Sequence, residues 1–182
     1  MIFCRLDLYF FPILDIYTPI DRTILGYKEL FSPIRRFSMK KAAVIHDLSG
    51  FGKCSLTAAI PVLSALGVQC CPVATAVLTG QTGYPCYHCT DLTAMLPDYI
   101  DAWGKNNAHF DAIYSGFLTG AKQISQVLDF IHHFREEHTL LLVDPVMGDD
   151  GNAYPFFTPG LLNGMKELTL EADVITPNLT EA

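Results

Sequence analysis

Positive charge is scarce in this chain. Only 12 of its 182 residues are Lys or Arg, against 19 Asp or Glu, and the formal net charge is −7. The longest basic runs are the pairs Arg35-Arg36 and Lys40-Lys41. A nucleic-acid surface needs a clustered basic footprint, so nucleic acid is not an expected partner. Long apolar runs are missing too. The first 38 residues are rich in aromatics, Ile and Leu, but Arg5, Asp7, Asp15, Asp21 and Arg22 interrupt them. No uncharged stretch there approaches the ~20 residues of a spanning helix. The same segment lacks the basic start, clean apolar centre and small-residue cleavage site of a secretory leader. Neither a membrane partner nor an export route is expected, and a cytoplasmic protein is.

Cysteine chemistry is also thin. With no leader, and with Cys70 and Cys71 adjacent in an apolar run, the six cysteines read as reduced thiols and not as a disulfide framework. Cys86 and Cys89 have C-x-x-C spacing, but no second such pair or paired-His segment completes a four-ligand zinc set. Two further motifs fall short. "DLSGFGKCS" imitates a P-loop, yet that motif needs Gly where Asp47 stands and a hydroxyl where Cys54 stands. Gly50-x-Gly52 opens a dinucleotide fingerprint, but Ser55 occupies the third glycine position and no acidic residue follows in the next strand.

What is present is a core. Half of the residues are hydrophobic and 17% are charged, enough apolar surface for one ordinary domain. Met39, followed by Lys40-Lys41 and an apolar run, is how many α/β proteins begin. Residues 39–182 are therefore expected to form the domain, with residues 1–38 an extension outside it.

Along that domain, apolar runs alternate with helical periodicity. Residues 42–46, 68–78, 110–116, 139–146 and 173–176 read as strands. Pro72 in the second points to an edge or bulge at that residue. Helices are expected over 55–66, closed by Gly67, over 91–103 with Pro97 restarting the turn, over 121–137, and from about 159 to 168. This βαβα order predicts a mainly parallel sheet with helices on both faces.

Ligands of such sheets bind beyond the carboxyl ends of the strands. Asp47, Ser115-Gly116, Asp144, Asp149, Asn178 and Glu181 all follow strand ends. Each has a plain local explanation: an Asx turn at Asp47, a surface turn at 148–151, and a capping box at Asn178-x-x-Glu181. Four acids at one sheet edge suggest a shared task. Without a basic cluster, that task is Mg²⁺ bridging to a phosphorylated ligand.

The stretches "VIHDLSGFGKCSLTAAIPVLSALGV", "QTGYP", "YSGFLTG", "VDPVMGDDGNAY" and "ITPNLTEA" resemble, in order and spacing, the pyridoxal (vitamin B6) kinases of the ribokinase-like superfamily. The similarity runs from about Lys41 to Ala182. It implies an α/β, ribokinase-like fold that is incomplete at the C-terminus, and an ATP- and Mg²⁺-dependent kinase phosphorylating a B6 vitamer. A homodimer is the assembly it implies.

By the same resemblance Asp47, Thr82, Tyr84 and Phe117 would contact the vitamer. Asp47 stands where pyridoxal kinases commonly have Ser and the related hydroxymethylpyrimidine kinases have Asp. Asp144, Asp149, Tyr154, Thr176, Asn178 and Glu181 would face ATP, with Asp144, Asp149 and Glu181 near the metal. The family's proton acceptor is the Asp of a G-[TA]-G-D motif, and these 182 residues contain no G-x-G-D. The chain is accordingly expected to be a fragment without turnover of its own. A hydroxymethylpyrimidine kinase and a non-catalytic vitamer-binding remnant are the alternative readings.

Overall fold

A computed structural model describes residues 39–182; the expected N-terminal extension, residues 1–38, lies outside the described residues. β1 (Lys40–Ser49), β2 (Val68–Leu78), β3 (Cys89–Asp91), β4 (Ala112–Ser115), β5 (Leu140–Val143) and β8 (Val174–Ile175) form one sheet in the order β3-β2-β1-β4-β5-β8. Every pairing is parallel except β2 with β3. A two-stranded hairpin of β6 (Gly148–Asp149) and β7 (Asn152–Ala153) stands beside it.

Helices cover both faces, as the alternation of strands and helices predicts. On β1, Ala43 and Ile45 face a large core with Val73, Ile113, Leu141 and Val143. That core is closed by α2 (Leu96–Lys105), α3 (Ala121–Phe134) and α4 (Pro159–Leu170). The intervening Ala42 and Val44 face α1 (Ser55–Ala65) through Leu56, the period-2 alternation of a strand buried on both sides. Among the described residues no helix is long and apolar enough to cross a membrane.

The second helix starts later than the sequence suggests, and the edge expected at Pro72 is present. Asp91 is a strand residue and not a helix start, because Cys89–Asp91 pairs antiparallel with Ala76–Leu78. Regular helix begins only at Leu96, after a 3₁₀ turn over Thr93–Met95. Pro72 lies in an unbroken part of β2 opposite Val44. It is tolerated because β3 pairs only with residues 76–78, leaving β2 an edge at Pro72, where the missing N–H is not needed. The break in pairing falls instead between His46 and Leu48, where Ala74 and Val77 are the successive partners. Two residues of β2 there oppose Asp47 alone, a bulge that bends and twists the strand.

The bulge leaves backbone groups to be satisfied. The Thr75 carbonyl accepts from Leu92 N–H at 3.0 Å and from Gln123 Nε2 at 2.8 Å, while Thr75 Oγ1 donates to the Phe117 carbonyl at 2.8 Å. Gln123 is 1% exposed on an otherwise apolar helix face, and this bond explains why a polar residue sits there. At the other sheet edge Arg135 donates to both oxygens of Asp173 at 3.0 Å, and Asp173 accepts from Leu141 N–H at 2.7 Å, fixing β8 beside β5.

Trp103, Phe110, Phe130 and Phe134 pack as an aromatic cluster under α3, with Phe130 and Phe134 centroids 4.7 Å apart. Phe130 is fully buried. Phe130→Ala is expected to lower unfolding free energy by about 3–5 kcal/mol, read as a shifted urea midpoint at unchanged slope. A loss below about 1 kcal/mol would contradict this packing.

Candidate functional site

The carboxyl ends of the parallel strands and the first turns of α1 enclose a cavity of about 650 Å³. One end is built around Asp47, 4% exposed at the end of β1. Ser49 Oγ donates to its Oδ2 at 2.8 Å, and His46 Nδ1 lies 3.0 Å from its Oδ1. Burial pushes the carboxyl pKa up, but hydrogen bonding with His46, Ser55 and Ser49 outweighs it and holds the group below its ordinary 3.8. Asp47 is therefore an anion inside the protein.

Two local conformations make this possible. Ser55, the first residue of α1, has φ of 53°, a left-handed conformation that costs a non-glycine residue roughly 1–3 kcal/mol. This turn brings Ser55 into the cavity wall beside Asp47. His46 lies against Gly116, where an added Cβ would come 2.2 Å from Nε2. Only glycine admits the imidazole at that position.

The loop after β1 is zipped to the loop after β2. Gly50 N–H donates to Leu78 O at 2.9 Å, Phe51 N–H to Thr79 O at 3.1 Å, and Gln81 N–H to Phe51 O at 2.9 Å. This places Gln81 and Thr82 in the cavity wall. Tyr84 turns away and packs on Phe51, with centroids 4.9 Å apart. Phe117 lines the cavity and meets Phe156 edge-on at 5.3 Å.

The other end is acidic. Asp144 follows β5 and shares the wall with Thr176 and Glu181. Burial first, and then the Glu181 charge, push its pKa above the ordinary value. Glu181 has a structural load as well: it accepts from Met147 N–H at 3.0 Å and from Asn178 N–H at 3.1 Å. Asn178 Oδ1 accepts from Glu181 N–H at 3.1 Å, so the expected reciprocal capping box forms. Asn178 Nδ2 reaches back to the Gly148 carbonyl at 2.8 Å. Tyr154, with its pKa raised by burial and by Asp149 and the other nearby acids, closes this end.

The cavity thus brings together Asp47, Thr82, Phe117, Asp144, Tyr154, Thr176, Asn178 and Glu181, all expected from sequence. Tyr84 and Asp149 are not in its wall. Asp149 is exposed on the β6–β7 hairpin, its Oδ1 accepting from Asp150 N–H at 2.9 Å, and among the described residues no three acids, histidines or cysteines converge as a metal cluster. His46, Ser49, Ser55, Gln81 and Tyr114 belong to the wall without having been expected. Strand alternation could have found His46 and Tyr114, which extend the Ala42/Val44 face. Among the described residues no Lys or Arg lines the cavity.

The family model for phosphomethylpyrimidine kinase matches residues 52–182. The pyridoxine/pyridoxal/pyridoxamine kinase of Bordetella avium is 34% identical over 139 residues, covering 72% of this chain and 46% of that protein. A Bacteroides thetaiotaomicron protein described as a phosphomethylpyrimidine kinase, crystallised with pyridoxal, is 49% identical with a TM-score of 0.77, over 79% of this chain and 50% of that one. Lactobacillus plantarum pyridoxal kinase is 33% identical with a TM-score of 0.73, over 79% and 51%. The chain spans about half the length, or less, of the relatives it matches.

The raised Asp144 pKa sets a sign. A carboxyl that holds its proton more tightly folded than unfolded costs stability once pH rises above its unfolded value, and the cost is complete above its folded value. Asp144→Asn should therefore melt at the same or a higher temperature than the parent at pH 7, with the difference vanishing near pH 3.8. Thermal melts across that range check it. A variant that melts well below the parent at pH 7 would show that Asp144 stabilises the fold.

Proposed function

The chain belongs to the phosphomethylpyrimidine kinase family, and we propose that within it this domain serves an ATP-dependent kinase that phosphorylates the 5′-hydroxyl of a B6 vitamer. The observation that carries the reading is the two-ended cavity. Asp47, His46, Thr82 and Phe117 form a polar and aromatic end suited to a small substituted ring, and Asp144, Thr176, Asn178 and Glu181 form an acidic end. β1 and β5 are separated only by β4, so the ends lie roughly 10 Å apart. That span fits a vitamer ring whose alcohol points toward a phosphoryl donor. The 49% identity to a protein crystallised with pyridoxal supports the same assignment.

The acidic end fits Mg²⁺. Asp144 and Glu181 are neighbouring carboxylates with, among the described residues, no Lys or Arg in the cavity wall, and Mg²⁺ is commonly held by one or two carboxylates, waters and substrate phosphates. When bound it would neutralise charge on the donor's phosphates. Asn178 and Glu181 would hold this end in shape through their bonds to Gly148 and Met147. Transfer also needs the alcohol's proton removed, and the motif that the resemblance assigns to that task, G-x-G-D, is not in these 182 residues. The chain alone is therefore expected to bind without turning over.

A second reading, a hydroxymethylpyrimidine kinase, draws on the family's own description and on Asp47. Titration calorimetry separates the two. Pyridoxal or pyridoxamine is expected to bind the 182-residue chain more tightly than hydroxymethylpyrimidine, with Mg²⁺-dependent ATP turnover at background. The reverse order of affinities would establish the second reading. Turnover at ordinary kinase rates would mean that an acid of this cavity takes the proton.

A further inference from the structure

Phe117 lines the cavity from a loop, not from the sheet. β4 ends at Ser115, and Gly116 N–H, bonded to Ile45 O at 2.9 Å, is the last backbone donor joining this segment to β1. Beyond it the chain crosses to α3, which begins at Ala121. The strand ladder therefore leaves the backbone of Phe117 to find other partners. The residue is nonetheless 7% exposed, with its ring edge-on to Phe156.

What holds it comes from β2 and α3. Thr75 Oγ1 donates to the Phe117 carbonyl at 2.8 Å, and among the described residues no backbone N–H reaches that carbonyl. Gln123 completes a clamp, its Oε1 accepting from Thr119 N–H at 2.8 Å while its Nε2 donates to the Thr75 carbonyl at 2.8 Å. The loop is thus tied to Thr75 twice, directly at Phe117 and through one side-chain amide at Thr119. Both Thr75 and Gln123 are buried, and neither lines the cavity. Packing alone does not call for either. Valine matches threonine in shape, and leucine would suit the apolar face of α3, so the polar atoms are there for the bonds they make.

We propose that Thr75 and Gln123 are positioning residues for the ligand: they fix the backbone of Phe117 and so set the place of the ring that meets a bound vitamer. This rests on the reading of the cavity as a vitamer site. A ring held in place before the ligand arrives needs no ordering on binding, which favours affinity. Without Thr75 Oγ1, the Phe117 carbonyl loses its partner in a buried position, and the loop shifts to find another. The ring shifts with it.

Calorimetric titration of the 182-residue chain with pyridoxal tests this through a double-mutant cycle. Thr75→Val should weaken pyridoxal binding about three- to thirtyfold, and Thr75→Ser, which keeps the hydroxyl, should bind as the parent does. In a Phe117→Ala background, Thr75→Val should have no further effect, because the ring through which it acts is gone. A threonine that only supports the fold would weaken binding equally with or without the ring. That pattern overturns the proposal, and so does parent-like affinity in folded Thr75→Val. Should Thr75→Val not fold, a crystal structure of the parent chain with pyridoxal decides. Pyridoxal is then expected against the Phe117 ring, with Thr75 Oγ1 still bonded to the Phe117 carbonyl; a vitamer clear of that ring, or a broken bond, overturns the proposal. If pyridoxal binds and Thr75→Val changes nothing, only the positioning role is refuted. If the parent chain binds no vitamer, the vitamer reading falls with it.

Discussion

A buried, ionised carboxylate at the end of β1 is the constraint around which the site is arranged. An isolated charge in the interior is costly unless hydrogen bonds replace the lost water, and Asp47 is met on both oxygens. Ser49 donates to Oδ2 from the same strand, and His46, seated by Gly116, lies 3.0 Å from Oδ1. Regular alternation would send Asp47 to the α3 face with Ala43 and Ile45. The bulge between His46 and Leu48 interrupts that alternation where Asp47 stands. The bulge then needs Gln123 and Leu92 to satisfy Thr75, so a polar residue in the middle of α3 is tied to the geometry of a site on the sheet's edge.

The opposite end works by internal clamping. Glu181 and Asn178 bond to each other and to the Met147–Gly148 segment, joining the residues after β8 to those after β5. These side chains therefore serve architecture and site at once. Asp144 does not share this satisfaction: burial and Glu181 both favour its protonated form. Two neighbouring acids facing a cavity that, among the described residues, has no Lys or Arg repel each other, and a cation would relieve that repulsion. The two ends thus differ in kind. Asp47 is a stabilised anion, whereas Asp144 is a destabilised one.

Much of this was legible in the sequence. Apolar runs and 3.6-residue periodicity gave the main strands and helices, and most of the acids that cluster after strand ends line one cavity. What escaped was decided by tertiary pairing. Asp91 belongs to a strand because β2 offers it a partner. Sequence spacing put Asp149 with the other acids, but Asp150 at φ 49° and Gly151 at φ 78° turn the chain into a hairpin that carries Asp149 to the surface. Tyr84 left the wall for a ring contact with Phe51, a partner that only the zipped loops bring near. The Asn178-x-x-Glu181 box had two readings, and the side chains fulfil the local one while also facing the cavity.

The vitamer reading depends on the two ends of the cavity acting on one molecule. A crystal structure of the chain with pyridoxal addresses it directly. The ring is expected against Asp47, Thr82 and Phe117, with its 5′-hydroxyl directed toward Asp144 and Glu181. A vitamer bound elsewhere, or bound in the cavity with that hydroxyl directed away from the acidic end, would contradict the reading.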